Sequence, residues 1–143
     1  MIMEKENFYK FFQGLFGYND KQMEEIRTSP EKEYLRKTMK GFSINPNRKV
    51  IAEVTKAENC AAGHKVGDRY VIGADGMLLK DKCPKNICIG AVTTLNPILA
   101  IVFDRIADQR EDLNPQAANH VSCSDCGFSD GGFGRVMMKI RVE

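Results

Sequence analysis

The sequence predicts an α+β fold: an N-terminal helical extension packed on a small antiparallel β-rich core with two central helices. Three observations carry that expectation. Apolar side chains recur at helical spacing near the N-terminus, a stretch rich in Pro and Asn then interrupts the pattern, and the closing segment alternates between apolar and polar residues.

Phe8, Phe11, Phe12, Leu15 and Phe16 fall at i, i+3, i+4, i+7 and i+8, the spacing of one apolar helix face. Gly17 or Asn19 ends this helix, since both residue types tolerate a left-handed cap. A second short helix is expected from Asp20 to Arg27, with Met23 and Ile26 turned inward. Thr28-Ser29-Pro30-Glu31 reads as the start of a third: a hydroxyl cap, a first-turn proline and an acid at the positive helix end. That helix would carry Tyr34, Leu35 and Met39 and stop at Gly41, before the linker Phe42–Arg48. Residues 1–42 are therefore read as a helical extension and 43–143 as a cysteine-containing core domain. Five apolar positions on the first helix suit an oligomerisation arm, so a homo-oligomer or a subunit of a larger complex is expected.

Beyond the linker, Lys49 to Lys56 places Val50, Ala52 and Val54 on one strand face. Arg69–Ile72 and Met77–Lys80 flank Ala74-Asp75-Gly76, whose Asp-Gly pair signals a hairpin turn. Ile87 to Asp108 is apolar and helical, and Asn96-Pro97 is expected to split it, with Asn96 as cap and Pro97 at the first position. Ile98, Ile101, Val102 and Ile106 would form the buried stripe of the second half. In the last strand, Arg135 to Val142, Val136, Met138, Ile140 and Val142 face one way while Met137, Lys139 and Arg141 face the other.

With 143 residues, the chain is one domain's worth of protein, and 43% hydrophobic with 28% charged residues is the balance of a folded globular protein. A net charge of +2 gives no electrostatic case for a nucleic-acid partner. The longest apolar run, Pro97–Phe103, is shorter than the roughly 18 residues of a membrane span. The N-terminus lacks a basic region followed by an apolar stretch and a small-residue cleavage site. The chain reads as cytoplasmic, without a membrane partner.

Five cysteines stand at 60, 83, 88, 123 and 126, and in a cytoplasmic setting they are expected to be reduced. Cys123-Ser-Asp-Cys126-Gly127 has the spacing at which both thiolates of a turn can face one metal ion. A tetrahedral site needs two further ligands, from Cys83 and Cys88 or from Cys60 with His64. Free cysteine also packs as a small hydrophobe, which suits Cys88 between Ile87 and Ile89. A single catalytic cysteine paired with His64 or His120 is a third reading, and spacing alone does not select the pair. Both histidines otherwise read as structural, His64 in a turn and His120 at a strand start.

The loop Gly127-Phe-Ser-Asp-Gly-Gly-Phe-Gly134 is rich in glycine. Amides near Gly127, Gly131, Gly132 and Gly134 could cradle an anionic ligand, or the loop is a flexible hairpin connection. No Gly-Lys-Ser/Thr follows and a strand comes next, so it is not a nucleotide-binding P-loop.

Residues from about 49 to 142 resemble a family of small, uncharacterised prokaryotic proteins of unknown function. The matching elements are Cys60 before Lys65-Val-Gly-Asp-Arg-Tyr-Val-Ile72, then Cys88-Ile-Gly-Ala91, then Cys123-Ser-Asp125 leading to Gly134-Arg-Val-Met-Met-Lys-Ile140. The resemblance implies Cys60, Cys88 and Cys123 as the positions of interest and brings no activity with it. The helical extension, Cys126 and the long glycine loop depart from that pattern.

Two functions follow as expectations. One is a metal-binding accessory module, with Zn²⁺ or an iron–sulfur cluster on ligands drawn from Cys123, Cys126, Cys88 and Cys60. The other is a small enzyme or small-molecule-binding protein using a cysteine thiolate, with the Gly127–Gly134 loop lining a pocket.

Overall fold

The computed structural model describes residues 5–44 and 46–143; what the sequence suggested for Met1–Glu4, and for Asn45 of the linker, lies outside the described residues. The fold is α+β, as expected. The chain divides into two compact units, one of residues up to Pro46 with Phe103–Asp112, the other of Asn47–Val102 with Leu113–Glu143.

The first unit contains α1 (Lys5–Phe16), α2 (Asp20–Thr28) and α3 (Glu33–Ile44), with a 3₁₀ turn at Pro30–Lys32 leading into α3. Asn19 starts α2 with a reciprocal cap. Its Oδ1 accepts the Gln22 N–H at 2.8 Å, and Gln22 Oε1 accepts the Asn19 N–H at 2.9 Å. Phe8, Tyr9 and Phe12 of α1 form a core with Met23 and Ile26 of α2 and Met39 of α3. The five-residue stripe on α1 is only partly covered: Phe11 is 54% and Phe16 57% exposed, while Tyr9 is buried instead. Successive residues rotate by about 100°, so Phe8, Tyr9 and Phe12 form one side and Phe11 and Phe16 its flank.

Tyr34 of α3 faces outward. It is 51% exposed, and its hydroxyl donates to Asp104 Oδ1 at 2.9 Å. Gly41 does not stop α3, which continues to Ile44. A Cβ at Gly41 would overlap the backbone carbonyl of Ile106, so the glycine marks a close helix approach.

In the second unit, β1 (Lys49–Glu58), β2 (Arg69–Gly73), β3 (His120–Ser122) and β4 (Arg135–Val142) form an antiparallel sheet in the order β2-β1-β4-β3. Register puts Val50, Ala52 and Val54 opposite Val142, Ile140 and Met138 of β4. Ile72 and Tyr70 of β2 stand opposite Val50 and Ala52. All of these are buried, forming one apolar sheet face with small Ala52 between Tyr70 and Ile140. Ile51 and Val71 are buried on the opposite face, so β1 is covered on both sides. A register shift between Val54 and Lys56 marks a bulge at Thr55, whose hydroxyl donates to the Met137 carbonyl at 3.3 Å.

The Asp-Gly turn forms, with the Gly76 N–H on the Gly73 carbonyl and Asp75 Oδ1 accepting the Met77 N–H. Its second arm, however, is a single bridge, Ile72 to Leu78, not a strand over Met77–Lys80. The chain instead enters a 3₁₀ turn at Lys80–Lys82. The outer edge of β2 is closed by the Leu79 N–H on the Val71 carbonyl and by Cys83 on the Val71 N–H.

Asn96 is not a cap. Helix α4 (Ile89–Val92) passes through a 3₁₀ turn at Thr93–Leu95 into α5 (Asn96–Ala107), and Asn96 has helical backbone angles. Pro97 has no N–H to donate to the Thr93 carbonyl, which accounts for the tightened turn before it. The whole run, Ile89–Ala107, is 19 residues and by length and composition apolar enough to cross a membrane. Its buried residues Ala91, Leu95, Ile98, Val102 and Ile106 lie three or four apart, as on the core-facing side of a helix, and Ile101 is exposed.

Candidate functional site

Between β1 and β2 the chain makes a ten-residue excursion, residues 59–68. The Gly63 N–H donates to the Cys60 carbonyl at 3.0 Å, closing a turn that folds His64 back on Cys60. Four further bonds hold the excursion: Gly67 N–H to the Val54 carbonyl, Val54 N–H to the Asp68 carbonyl, Asp68 N–H to the Lys65 carbonyl, and Lys65 N–H to Asp68 Oδ2. The Asn86 side-chain amide donates to the Ala62 carbonyl at 3.0 Å and ties in the segment before α4.

His64 is only 6% exposed, and both ring nitrogens have partners. Nδ1 lies 3.4 Å from Cys60 Sγ and Nε2 lies 2.8 Å from the Tyr70 hydroxyl. Tyr70, 0% exposed on the sheet's apolar face, also accepts the Cys88 N–H at 3.0 Å. A continuous polar line thus runs from Cys60 through His64 and Tyr70 to the backbone at the start of α4. Burial, above all, pushes the Tyr70 phenol above its usual range; the Cys88 amide pulls the other way, and ionised thiols at Cys88, Cys83 and Cys60 would add to the rise. At neutral pH Tyr70 is therefore a protonated hydroxyl with a hydrogen to donate. A thiol beside an imidazole that is itself oriented by a third group has the layout of an activated nucleophile. Cys60 is half-buried.

The remaining cysteines have separate surroundings. Cys83 Sγ accepts the Val71 N–H at 3.3 Å, and its thiol faces the Val71 carbonyl at 3.5 Å. Cys88 is the N-cap residue of α4, where its side chain makes no capping bond. Cys123 Sγ accepts the Val136 N–H at 3.2 Å, while the exposed Cys126 thiol donates to the Asp130 carbonyl at 3.3 Å. The two sulfurs of the Cys-x-x-Cys turn thus bond to different groups. Among the described residues, no cluster of three or more His, Cys, Asp or Glu side chains is arranged to hold a metal ion. His120 is exposed, with Nδ1 2.6 Å from Asn119 Oδ1.

The glycine loop is organised by a residue the sequence reading did not single out. The Asp125 carboxylate accepts N–H bonds from Gly127, Phe133 and Gly134 at 3.0–3.3 Å. Of the other two glycines, the Gly132 N–H bonds to the Gly127 carbonyl and the Gly131 N–H to the Phe128 carbonyl. The anion in this cradle is the chain's own side chain. Those amides, led by Gly127 and then Gly134, hold the Asp125 carboxyl below the ordinary carboxylate range. At Gly134 a Cβ would overlap the Asn59 carbonyl, so this glycine lets β4 begin against the end of β1.

Tyr70 was also missed. Its signal was the alternation of β2, which places Tyr70 and Ile72 on one face; nothing local announced that the hydroxyl would meet His64. No family model, curated protein or solved structure matches the chain.

Proposed function

We propose that this protein acts through Cys60 as a nucleophilic thiol toward a small electrophilic substrate, with His64 as the hydrogen-bond partner of the sulfur. The observation that supports the reading is the buried imidazole, bonded at one nitrogen to a phenol and at the other to the thiol of half-buried Cys60. A buried polar ring costs stability unless its nitrogens are satisfied, and this one takes a reactive group as one of its two partners. The thiolate is the attacking form of cysteine, and a ring N–H directed at sulfur favours that form. The reading makes the cysteine chemistry covalent and places it at Cys60, where β1 hands over to β2.

Timed labelling of the native full-length chain with iodoacetamide at neutral pH, read by peptide mapping, tests it. His64→Asn is expected to slow labelling of Cys60 about three- to tenfold, the scale of one hydrogen bond to a charged sulfur, tempered by the opposing change in nucleophilicity. Labelling of Cys126 should stay the same, and far-UV circular dichroism checks that the variant is folded. An unchanged Cys60 rate in the folded variant would remove His64 from the site and the reading with it.

A further inference from the structure

We infer that Tyr70 is a positioning residue that fixes His64 as the tautomer protonated at Nδ1, so that the ring donates its hydrogen bond to Cys60 Sγ. The inference rests on the Cys60–His64 reading above and adds the direction of the bond. The Tyr70 hydroxyl has two partners among the described residues, the Cys88 N–H and His64 Nε2. The Cys88 N–H can only donate, so it occupies an acceptor position on the phenol oxygen. The phenol hydrogen, enclosed with the rest of this fully buried side chain, then has one acceptor left, His64 Nε2. A nitrogen that accepts there carries no proton. In a neutral imidazole the proton must then sit on Nδ1, which faces the sulfur.

This direction has a chemical consequence. His64 does not serve as the base that removes the Cys60 proton, because its basic nitrogen is already engaged by Tyr70. The ring instead supplies a fixed hydrogen-bond donor to the sulfur. Cys88 shares in this through its backbone: its N–H takes an acceptor position on the phenol oxygen and offers the hydroxyl hydrogen no acceptor, which leaves that hydrogen for Nε2.

Two-bond ¹H–¹⁵N correlation spectra of the uniformly ¹⁵N-labelled full chain at neutral pH read the tautomer directly, with His120→Gln used to assign the two imidazoles. His64 is expected to show a protonated Nδ1 and a pyridine-like Nε2. The same pattern is expected in Cys60→Ala, because Tyr70 and not the sulfur sets it, and in a folded Tyr70→Phe protein it should shift toward the other tautomer. A ring protonated at Nε2, alone or together with Nδ1, overturns the inference, as does a tautomer that switches in Cys60→Ala or stays unchanged in folded Tyr70→Phe. These outcomes are separable from the functional reading, which stands or falls on the alkylation rate of Cys60 in the wild-type and His64→Asn proteins.

Discussion

Asp125 shows how one side chain can replace a ligand. Its carboxylate gathers the amides of Gly127, Phe133 and Gly134, which would otherwise point into an open glycine loop. Because its folded-state carboxyl titrates below the ordinary value of about 3.9, its contribution is fully present above that value. That contribution falls away as pH drops below about 3.9 and is gone once pH passes the lower folded-state value. Amide hydrogen exchange tests both parts. In Asp125→Ala, the amides of Gly127, Phe133 and Gly134 should exchange at least about tenfold faster, the effect of losing a charge-assisted bond, with β1 unaffected. In the wild-type chain their protection should hold from pH 7 down to about 5 and fail first in more acid solution. Unchanged protection in Asp125→Ala would mean that the loop is organised by its backbone alone.

Two glycines in helices separate local propensity from packing at the scale of elements. Gly14 of α1 has nothing within 4 Å of where a Cβ would stand, whereas Gly41 of α3 meets the Ile106 backbone. Helix propensity alone would favour alanine at both positions by about 1 kcal/mol. Gly14→Ala is therefore expected to raise stability by up to about that amount. Gly41→Ala should lower it by about 1–3 kcal/mol, because a backbone carbonyl cannot rotate away as a side chain can. Urea midpoints of the two variants decide this, and a Gly41→Ala protein as stable as wild type would show that α3 can move off Ile106 without cost.

At the scale of the whole molecule, what the sequence made legible was whatever is settled locally. The period of β4, the left-handed Gly17 after α1 and the inward pair of α2 depend on near neighbours, and they stand as expected. Phe11, Phe16 and Ile101 misled because an apolar stripe names candidates for burial, while the partner elements decide how much of it is covered. Residues 103–112 group with the N-terminal helices although more than fifty positions separate them, a long-range choice that no local pattern announces. The site divides in the same way. Spacing drew attention to Cys123 and Cys126, but their sulfurs bond to different groups. Cys60 and His64 stood four residues apart in plain view, yet the pairing depends on the turn at Gly63 and on Tyr70 in the next strand.

The order in which the five thiols react decides whether Cys60 is the reactive one. Cys126 is the exposed cysteine and the other four are half-buried, so exposure alone would place Cys126 first. With limiting iodoacetamide on the native, reduced full-length chain, Cys60 is expected to be alkylated first and faster than free cysteine at the same pH. Cys126 reacting first, with Cys60 no faster than Cys83 or Cys123, would contradict it.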